Sequence, residues 1–540
     1  MRIRFVVPPA LMVAVCAVAI CVVPVGAVSA QEHLTSGGKL KPEQAVMDIR
    51  HYTIALKVNI PDKSIDGYTD VDLVLSKATP VLLFDLLDSF HIHSVKVDGH
   101  EMPYSYGQNL IRISGIFSAG KHTARVTYDG RPHVAVHPPW DDGFTWTSDS
   151  SGHPWVAITA EGTGGKLYFP CKDHPSDEPN EGVDMFINVP ENLVVAGPGL
   201  LVETTHSGDR STYHWKTRYT INNYSIVFNI GNYKVVQREY TTVDGHLVPM
   251  VFYVLAEHAD KAPHHLEVFE RTVHEQERYF GEYPWAKEKI GIVETPHLGM
   301  EHQTMNAYGN HFRYTKVGGE DYDGLMHHEF GHEWWGNKVT ARDWADYWIH
   351  EGICTFGDGL YVLAMEGEDA YDKYFQRTGR SIQNTAPIVL GKDIDEEAAY
   401  QGDIYPKGAF FMHTLRWVMG DSLFFPTLKG FVTDPAYTYD NLVTTDDVQN
   451  YFSRRAGVDL SPLFTLYLRT THKLEVHVRR VSPGHYAVRL VDMLMTLPLE
   501  ITTSAGRRVL RVGAGEVAFE SDTQPVVDPR MCYLSKVTFE

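Results

Sequence analysis

The segment His-Glu-Phe-Gly-His at residues 328–332, followed after eighteen residues by Glu351, constrains this chain more than any other feature. On a helix, positions i and i+4 lie on nearly the same face, so His328 and His332 can direct their imidazoles to one point. A catalytic zinc ion binds such nitrogens at about 2.0–2.1 Å, takes a third protein ligand and keeps a fourth position open. The spacing therefore predicts one zinc ion held by His328, His332 and Glu351, with Glu329 beside it but not bound to it.

The sequence around the two histidines favours a helix. Residues 322–339 contain no proline and carry several apolar side chains, and Gly336-Asn337 is typical of a helix end. His327 offers no competing pair, because Gly331 lies four residues further on. We expect a helix that begins near Tyr322 and ends near Gly336.

The length and charge of the chain limit its class. A chain of 540 residues is too long for one ordinary core, so two to four domains are expected. The formal net charge is −20, and loss of Arg2 and Arg4 with an N-terminal leader would make it −22. This balance argues against nucleic acid or anionic lipid as a partner.

The first thirty residues resemble a secretory signal peptide. Arg2 and Arg4 precede an apolar stretch that continues to Val23, and the segment 28–30, Val-Ser-Ala, suits cleavage after Ala30. We expect an exported protein, periplasmic or secreted, without a stable membrane span after cleavage. The alternative is an uncleaved anchor, because the apolar stretch is nearly long enough to cross a bilayer.

Three cysteines follow the leader, at positions 171, 354 and 532. Three cysteines form no disulfide framework, and none of them has the spacing of metal ligands. One disulfide is conceivable, but three buried thiols are the simpler expectation.

The fold class predicted from periodicity is multidomain α+β. Residues 48–245 alternate apolar and polar side chains, as in Tyr52 to Val58, with turn signals about every ten residues, which indicates an antiparallel β domain. Within it, residues 138–165 are rich in Gly, Asp, Ser and Trp and are expected to form a loop system.

Helical patterns dominate the next part of the chain. They are expected at residues 265–280, 347–365, 370–384 and 408–419, with a short strand at 290–294. After Thr471 the alternation of strands returns. The predicted boundaries are a leader at 1–30, an N-terminal β domain at 31–245, a mostly α catalytic domain at 246–470 and a small C-terminal β domain at 471–540.

With these motifs in order, residues 48–470 resemble the gluzincin aminopeptidases of the membrane-alanyl-aminopeptidase family, which also includes the leukotriene-epoxide hydrolases. That family joins the zinc signature to an upstream Gly-x-Met-Glu-Asn segment and a downstream Tyr-x-Lys-Gly-Ala segment. The matching segments here are Gly299-Met300-Glu301-His302, Trp334-Trp335-Gly336-Asn337 and Tyr405-Pro406-Lys407-Gly408-Ala409.

The resemblance implies a thermolysin-like catalytic domain, with two departures from the family pattern. His302 stands where the family has asparagine, and only one residue separates Leu298 from Met300. About 70 residues of β pattern also stand where the family has a large C-terminal helical domain. We expect a short form of the family with a more open cleft on that side.

The resemblance assigns two catalytic roles. Glu329 is expected to take a proton from the attacking water and return it to the leaving amine. Tyr405, which precedes Pro406 and so is expected at a helix start, is expected to donate a hydrogen bond to the oxyanion. A solvated glutamate and a packing tyrosine are the alternatives.

The resemblance also assigns substrate-binding residues. Glu301 and Glu161 match the family glutamates that bind the free α-ammonium group, although a surface glutamate is the alternative for Glu161. Gly299 and Met300 are expected to form an extended edge that pairs with the substrate backbone. Asp358, seven residues after Glu351, is expected either to orient a zinc histidine or to be solvated.

The expected function is a zinc-dependent aminopeptidase that removes N-terminal residues from peptides with a free N-terminus. The alternatives are a zinc endopeptidase on the same core and a peptide-binding protein without catalysis. Epoxide hydrolysis is a more distant alternative, because the region that carries its carboxylate-binding residues has no counterpart here. The side-chain preference and the oligomeric state have no local sequence signal.

Overall fold

The computed structural model of the chain describes residues 34–540. The predicted leader, residues 1–30, lies outside the described residues. Within residues 34–540, every helix is too short or too polar to cross a membrane. The three cysteines are all buried with free thiols in this part of the chain, as expected.

The N-terminal part consists of strands because its apolar side chains recur at every second position. In the first strand, Tyr52, Ile54, Leu56 and Val58 are buried, whereas the alternate residues 53, 55 and 57 are partly or largely exposed. The strands are β1 (Met47–Asn59), β2 (Ser64–Leu75), β3 (Thr79–Asp85), β4 (Phe90–Val97), β5 (His100–Glu101), β6 (Tyr104–Gly107), β7 (Leu110–Phe117), β8 (Gly120–Gly130), β9 (Gly143–Ser148), β10 (Pro154–Thr159), β11 (Val183–Pro190), β12 (Val194–Ala196), β13 (Leu200–Ser207), β14 (Arg210–Thr217) and β15 (Asn229–Gly231).

The main N-terminal sheet has the order β13-β14-β11-β1-β2-β8-β4-β5. The expectation of a wholly antiparallel domain is wrong at one point, because β1 and β11 are parallel, with Tyr52 opposite Val183. The expected loop system at 138–165 is also partly wrong. Residues 143–148 and 154–159 form the antiparallel hairpin β9-β10, whereas 138–142, 149–153 and 160–164 lie in turns and loops.

The middle part surrounds a five-stranded sheet with helices. The strands of this middle part are β16 (Tyr233–Thr241), β17 (Leu247–Leu255), β18 (Ile290–Glu294), β19 (Gly299–Met300), β20 (Asn306–Tyr308), β21 (Thr315–Val317) and β22 (Glu320–Tyr322). Its helices are α1 (Ala262–Phe280), α2 (Gly324–Gly331), α3 (Trp348–Glu366), α4 (Glu368–Ser381), α5 (Glu396–Ala399), α6 (Ile404–Met419), α7 (Asp421–Thr433), α8 (Thr445–Ala456) and α9 (Ser461–Leu468).

The five-stranded sheet has the order β16-β17-β18-β20-β19, so the short strand β19 lies at its edge. The predicted boundary at residue 245 falls in the turn of the β16-β17 hairpin, and both strands of that hairpin belong to this sheet. The domain boundaries otherwise remain predictions.

The helix that carries the two histidines is shorter than expected. Asp323 caps α2 by accepting a hydrogen bond from the N–H of Met326 at 3.2 Å, and the helix ends at Gly331 rather than near Gly336. Beyond it the backbone forms tight turns, because Trp335 pairs with Val339 and Gly336 has a φ of +136°. His332 keeps helical dihedral angles, so both histidines still share one face.

The C-terminal part is again β structure, as expected. It contains β23 (Leu474–Ser482), β24 (His485–Val491), β25 (Leu497–Thr503), β26 (Gly506–Val512), β27 (Val517–Glu520), β28 (Val526–Val527) and β29 (Ser535–Phe539), arranged as a four-stranded and a three-stranded sheet. It packs on α6, where Trp417 donates a hydrogen bond to the carbonyl of Pro498 at 2.8 Å.

Helices α3 and α6 cross at a pair of glycines. A Cβ atom placed on Gly408 would lie 2.8 Å from the Cα of Gly352, a separation that van der Waals repulsion forbids. The crossing therefore requires glycine on both helices. Because Glu351 is next to Gly352 and Tyr405 lies one turn before Gly408, the same contact fixes the distance between these two side chains.

We expect Gly408→Ala to lower the free energy of unfolding by about 1–3 kcal/mol, as overpacking in a core typically does. The measurement is thermal unfolding of the whole chain. The control is Gly402→Ala, an exposed position with no atom within 4 Å of the added Cβ. Equal unfolding temperatures for the two variants would contradict the close crossing.

Candidate metal centre

His328, His332 and Glu351 converge on one point, as the sequence spacing predicts. The Nε2 atom of His328 is 3.1 Å from Oε2 of Glu351, and Nε2 of His332 is 3.4 Å from both of these atoms. Ligands about 2.0–2.1 Å from a tetrahedral zinc ion are roughly 3.3–3.4 Å apart. The donor set therefore fits zinc in the spacing and in the chemistry of its ligand atoms.

The charges at this point also require a cation. Burial opposes protonation of His328, yet the carboxylates of Asp358 and Glu351 raise its pKa well above the ordinary value. Burial alone would raise the pKa of Glu351, but the charges of His332 and His328 hold it below its usual range. The carboxylates therefore stabilise positive charge between them, and a divalent metal ion would supply it in place of protons.

Neighbouring groups orient all three side chains. Tyr347 donates a hydrogen bond to Oε1 of Glu351 at 3.2 Å, and Nδ1 of His332 donates to the carbonyl of Trp335 at 2.9 Å. Asp358 lies 3.4 Å from Nδ1 of His328 and 2.7 Å from Nδ1 of His327. Such partners fix the rotation and the tautomer of metal-binding histidines.

Glu329 lies against the edge strand β19. A Cβ atom on Gly299 would lie 2.3 Å from Oε1 of Glu329, so a side chain at position 299 would displace this carboxylate. Gly299 and Met300 pair with Tyr308 and Ala307 on one side of β19. The other side of β19 has no neighbouring strand among residues 34–540.

Glu301 lies directly beside this group. Its carboxylate, that of Glu329 and an imidazole nitrogen of His332 lie within 4.8 Å of one another. Glu301 is 3% exposed, and its Oε1 accepts a hydrogen bond from Tyr224 at 2.9 Å. The sequence analysis missed Tyr224, because this contact joins residues that are 77 positions apart without a local motif.

Glu161 faces the same region from the N-terminal part, in the loop after β10. Burial raises the pKa of Glu161 well above its ordinary value, and the nearby charges of Glu301 and Glu351 raise it further. Within residues 34–540, its Oε1 is buried without a hydrogen-bond partner. One oxygen of this carboxylate therefore lacks a hydrogen-bond donor.

Tyr405 lies in the first turn of α6, at the helix start that Pro406 predicted. Its ring centre is 6.0 Å from that of His328, and its hydroxyl is 2.8 Å from the hydroxyl of Tyr400. Burial and the charge of Glu351 raise the pKa of Tyr405, so the phenol stays protonated and able to donate. Tyr400 is a second residue that the sequence analysis missed.

Glu333 and Asn337, just after α2, join this part of the chain to the segment that follows β19 and carries Glu301. The buried Glu333 carboxylate accepts hydrogen bonds from Trp285 at 2.6 Å and from the N–H of Thr304 at 2.9 Å. Asn337 donates to the carbonyl of Glu301 at 2.9 Å. Asn337 belongs to a quoted sequence motif, whereas Glu333 had no signal beyond its place after His332.

A triangle of two imidazoles and one carboxylate, with a further carboxylate beside it, is the arrangement of a metal-dependent hydrolase. Residues 264–467 match the sequence profile of the Peptidase family M1 domain. Together with the relatives described next, this match supports the M1 peptidase family for the chain. The resemblance drawn from the motifs is thus supported at that level.

The curated relatives are distant and longer. The leucyl aminopeptidase of Saccharolobus solfataricus is 22% identical over 514 residues, which cover 89% of this chain and 62% of the relative. The tricorn protease-interacting factor F2 of Thermoplasma acidophilum is 23% identical, over 64% of this chain and 44% of the relative. The endoplasmic reticulum aminopeptidase 1 of Rattus norvegicus is 21% identical, over 73% and 45%. The chain thus spans about half the length of these relatives.

Solved structures share the fold. The M1 zinc metallopeptidase from Deinococcus radiodurans, crystallised with a Tyr-Ser-Ala substrate, has a TM-score of 0.65 and 20% sequence identity. The match covers 80% of this chain and 95% of that protein. At this identity the likeness supports the architecture of a β-rich N-terminal part followed by a helical part with the metal centre.

We expect Asp358→Asn to weaken zinc binding about 10- to 100-fold, the usual cost of losing a carboxylate that orients a metal-binding histidine. The measurement is competition for zinc with a chromogenic chelator. The control is Asp369→Asn, an exposed aspartate on the next helix. Unchanged zinc affinity in Asp358→Asn would show that Asp358, 3.4 Å from Nδ1 of His328, does not orient this histidine for the metal.

Proposed function

We propose that the protein is a zinc-dependent aminopeptidase, which hydrolyses the first peptide bond of peptides with a free N-terminus. One observation carries the proposal: the Glu301 carboxylate lies within 4.8 Å of both Glu329 and His332, directly beside the three metal-binding atoms. A carboxylate in that position pairs with the α-ammonium of a substrate whose first carbonyl is at the metal. The family match and the relatives support the same activity.

The side chains divide the chemistry among them. A zinc ion held by His328, His332 and Glu351 supplies a Lewis acid that acidifies water and polarises a carbonyl. Glu329 takes one proton from the attacking water and passes it to the leaving nitrogen as the C–N bond breaks. The hydroxyl of Tyr405 donates a hydrogen bond to the carbonyl oxygen as negative charge develops there.

The substrate is held by its charged end and its backbone. Glu301 and Glu161 bind the α-ammonium group by charge-assisted hydrogen bonds. The unpaired side of β19, at Gly299 and Met300, offers backbone groups to an extended peptide. An internal peptide segment would leave both glutamates buried without a cation, which disfavours cleavage in mid-chain.

The narrower placement of the chain remains part of the proposal. The motifs favour the aminopeptidase-N-like and leukotriene-hydrolase-like branch of the family. They favour one zinc ion and an exported protein that acts on peptides.

We expect the enzyme to cleave alanyl-leucyl peptides with a free amine and to leave their N-acetylated forms intact. In Glu301→Gln the KM for the free-amine peptide rises at least tenfold, because one charge-assisted hydrogen bond of about 1.5–3 kcal/mol is lost. The measurement is steady-state kinetics with and without a zinc chelator.

The control is Glu320→Gln, an exposed glutamate in β22. Equal cleavage of both peptide forms would favour a zinc endopeptidase. Full activity after removal of the metal would refute the proposal as a whole.

We expect Tyr405→Phe to lower kcat about 10²- to 10³-fold with little change in KM, because one donor to the oxyanion is lost. Tyr400→Phe is the matched variant, since it removes the hydroxyl that faces Tyr405 but leaves the donor itself. Its kcat should fall far less. A KM effect without a kcat effect in Tyr405→Phe would assign this tyrosine to substrate binding.

A further inference from the structure

A cavity lies directly behind the amine-binding end of the site. Its lining includes Glu161, Tyr224 and Tyr347, which adjoin the proposed site, and Glu178 and His350, which are here called the rear wall. Tyr224 and Tyr347 hold Glu301 and Glu351 by hydrogen bonds of 2.9 and 3.2 Å. The cavity and the proposed site therefore share their walls, although the mechanism above uses no residue of the rear wall.

Buried polar atoms around this cavity have no partner. Glu178, Asn223 and His350 are each at most 9% exposed. Within residues 34–540, Oε1 of Glu178, Oδ1 of Asn223 and Nδ1 of His350 make no hydrogen bond. Oε1 of Glu161 likewise makes no hydrogen bond within these residues. Because buried polar groups are nearly always satisfied, such a set indicates that something fills the cavity.

The buried polar atoms without a hydrogen-bond partner favour a cation as the occupant of the cavity. Two further carboxylates of the lining, Asp173 and Asp177, pair with lysines at 3.0 and 2.7 Å. Asp343 accepts hydrogen bonds from backbone N–H groups. Within the described chain, Glu161 and Glu178 have no basic partner. Burial raises the pKa of Glu178 to about 8, only partly offset by hydrogen bonds such as that from Thr220 at 3.1 Å.

The place of the cavity identifies the source of that cation. In an aminopeptidase, the first residue is the only part of the substrate that lies beyond the scissile carbonyl. Its α-ammonium meets Glu301 and Glu161, and its side chain is then the part of the substrate left to enter a cavity that Glu161 also lines. Resting on the proposed function, we infer that the cavity is a subsite for a cationic side chain, and that Glu178 selects lysine or arginine at the substrate N-terminus.

The size of the cavity agrees with this occupant. It leaves about 40 Å³ for the centres of water molecules, which at roughly 10–15 Å³ each is room for about three waters. The end of a lysine or arginine side chain occupies a similar space. With Glu161 assigned to the α-ammonium group, Oε1 of Glu178 and Oδ1 of Asn223 remain as unpaired acceptors for N–H donors of a cationic side chain.

The test compares substrates that differ only in charge. Lysyl and norleucyl coumarinyl amides form one pair, and arginyl and citrullinyl amides form the other. The zinc-loaded wild type should show a kcat/KM that is about 10- to 100-fold higher for the charged member of each pair, as expected for hydrogen bonds to a charged group. Glu178→Gln should remove most of that preference and change norleucyl turnover less than twofold.

The controls separate folding, charge and catalysis. Glu181→Gln changes an exposed glutamate on the same loop and should keep the preference. Retained norleucyl turnover shows that Glu178→Gln is folded. Equal kcat/KM for charged and neutral members in wild type would overturn the inference, and so would an equal loss for both in Glu178→Gln.

Binding of free amino acids distinguishes failure of the inference from failure of the proposed function. L-lysine should raise the unfolding temperature of the zinc-loaded wild type more than L-norleucine does, and Glu178→Gln should abolish that difference. If this holds while no peptide is hydrolysed, the subsite stands and the proposed function fails. If potassium or calcium alone gives the same Glu178-dependent stabilisation, the cavity holds an inorganic ion and the inference is wrong. If both amino acids raise the unfolding temperature equally, the cavity holds only water, and this result would also overturn the inference.

Discussion

Burial of negative charge in one cleft is the constraint on which the rest of the site depends. Glu301, Glu329 and Glu351 all approach His332, and Glu161 faces them from the N-terminal part. Carboxylates taken out of water are costly unless cations or donors compensate them. Two positive charges from a metal ion and one from a substrate ammonium group would offset three of these four negative charges. The site therefore binds its ligands because the fold leaves this charge unmet.

The surrounding fold holds these carboxylates together against their mutual repulsion. Glu333 and Asn337, just after α2, are joined to the segment that follows β19, by hydrogen bonds of 2.9 Å from the N–H of Thr304 and to the carbonyl of Glu301. The glycine crossing of α3 and α6 brings Glu351 and Tyr405 to the same metal centre from two helices. Helix α2 and its C-cap thus contribute His328, Glu329 and His332, whereas α3 and α6 contribute one side chain each.

The sequence predicts those features that depend on local spacing. The metal-binding residues follow from helical periodicity, and β1 follows from alternation, because both patterns repeat within a few residues. The predicted end of α2 was wrong, because the turn at Gly336 and the hydrogen bond from His332 to the carbonyl of Trp335 are tertiary features. The hairpin β9-β10 was read as a loop, because its Gly, Asp and Ser content conceals strands that pair with each other.

Residues that complete the site from a distance left no such signal. Tyr224 contacts Glu301 across 77 positions, and Asn222 donates to Asn337 at 2.8 Å across 115. Neither contact follows from periodicity or from a motif, because each depends on how the N-terminal strands pack on the catalytic part. Asp358 was predicted only in part. Its position on the face of helix α3 followed from local spacing, but its pairing with both His327 and His328 did not.

The division of the site between two parts of the chain bears on its selectivity. The metal-binding atoms, Glu329 and Tyr405 all lie in residues 264–467, whereas Glu161 and Tyr224 come from the β-rich part before them. Lys289 ties the two parts by donating to the carbonyl of Gly197 at 2.9 Å. Hydrolytic chemistry needs only the first set. Recognition of a charged terminus, as proposed, uses Glu301 from the same residues together with Glu161 from the β-rich part. In the proposed aminopeptidase, the restriction to N-termini therefore depends on the packing of the N-terminal β structure as well as on the residues beside the metal centre.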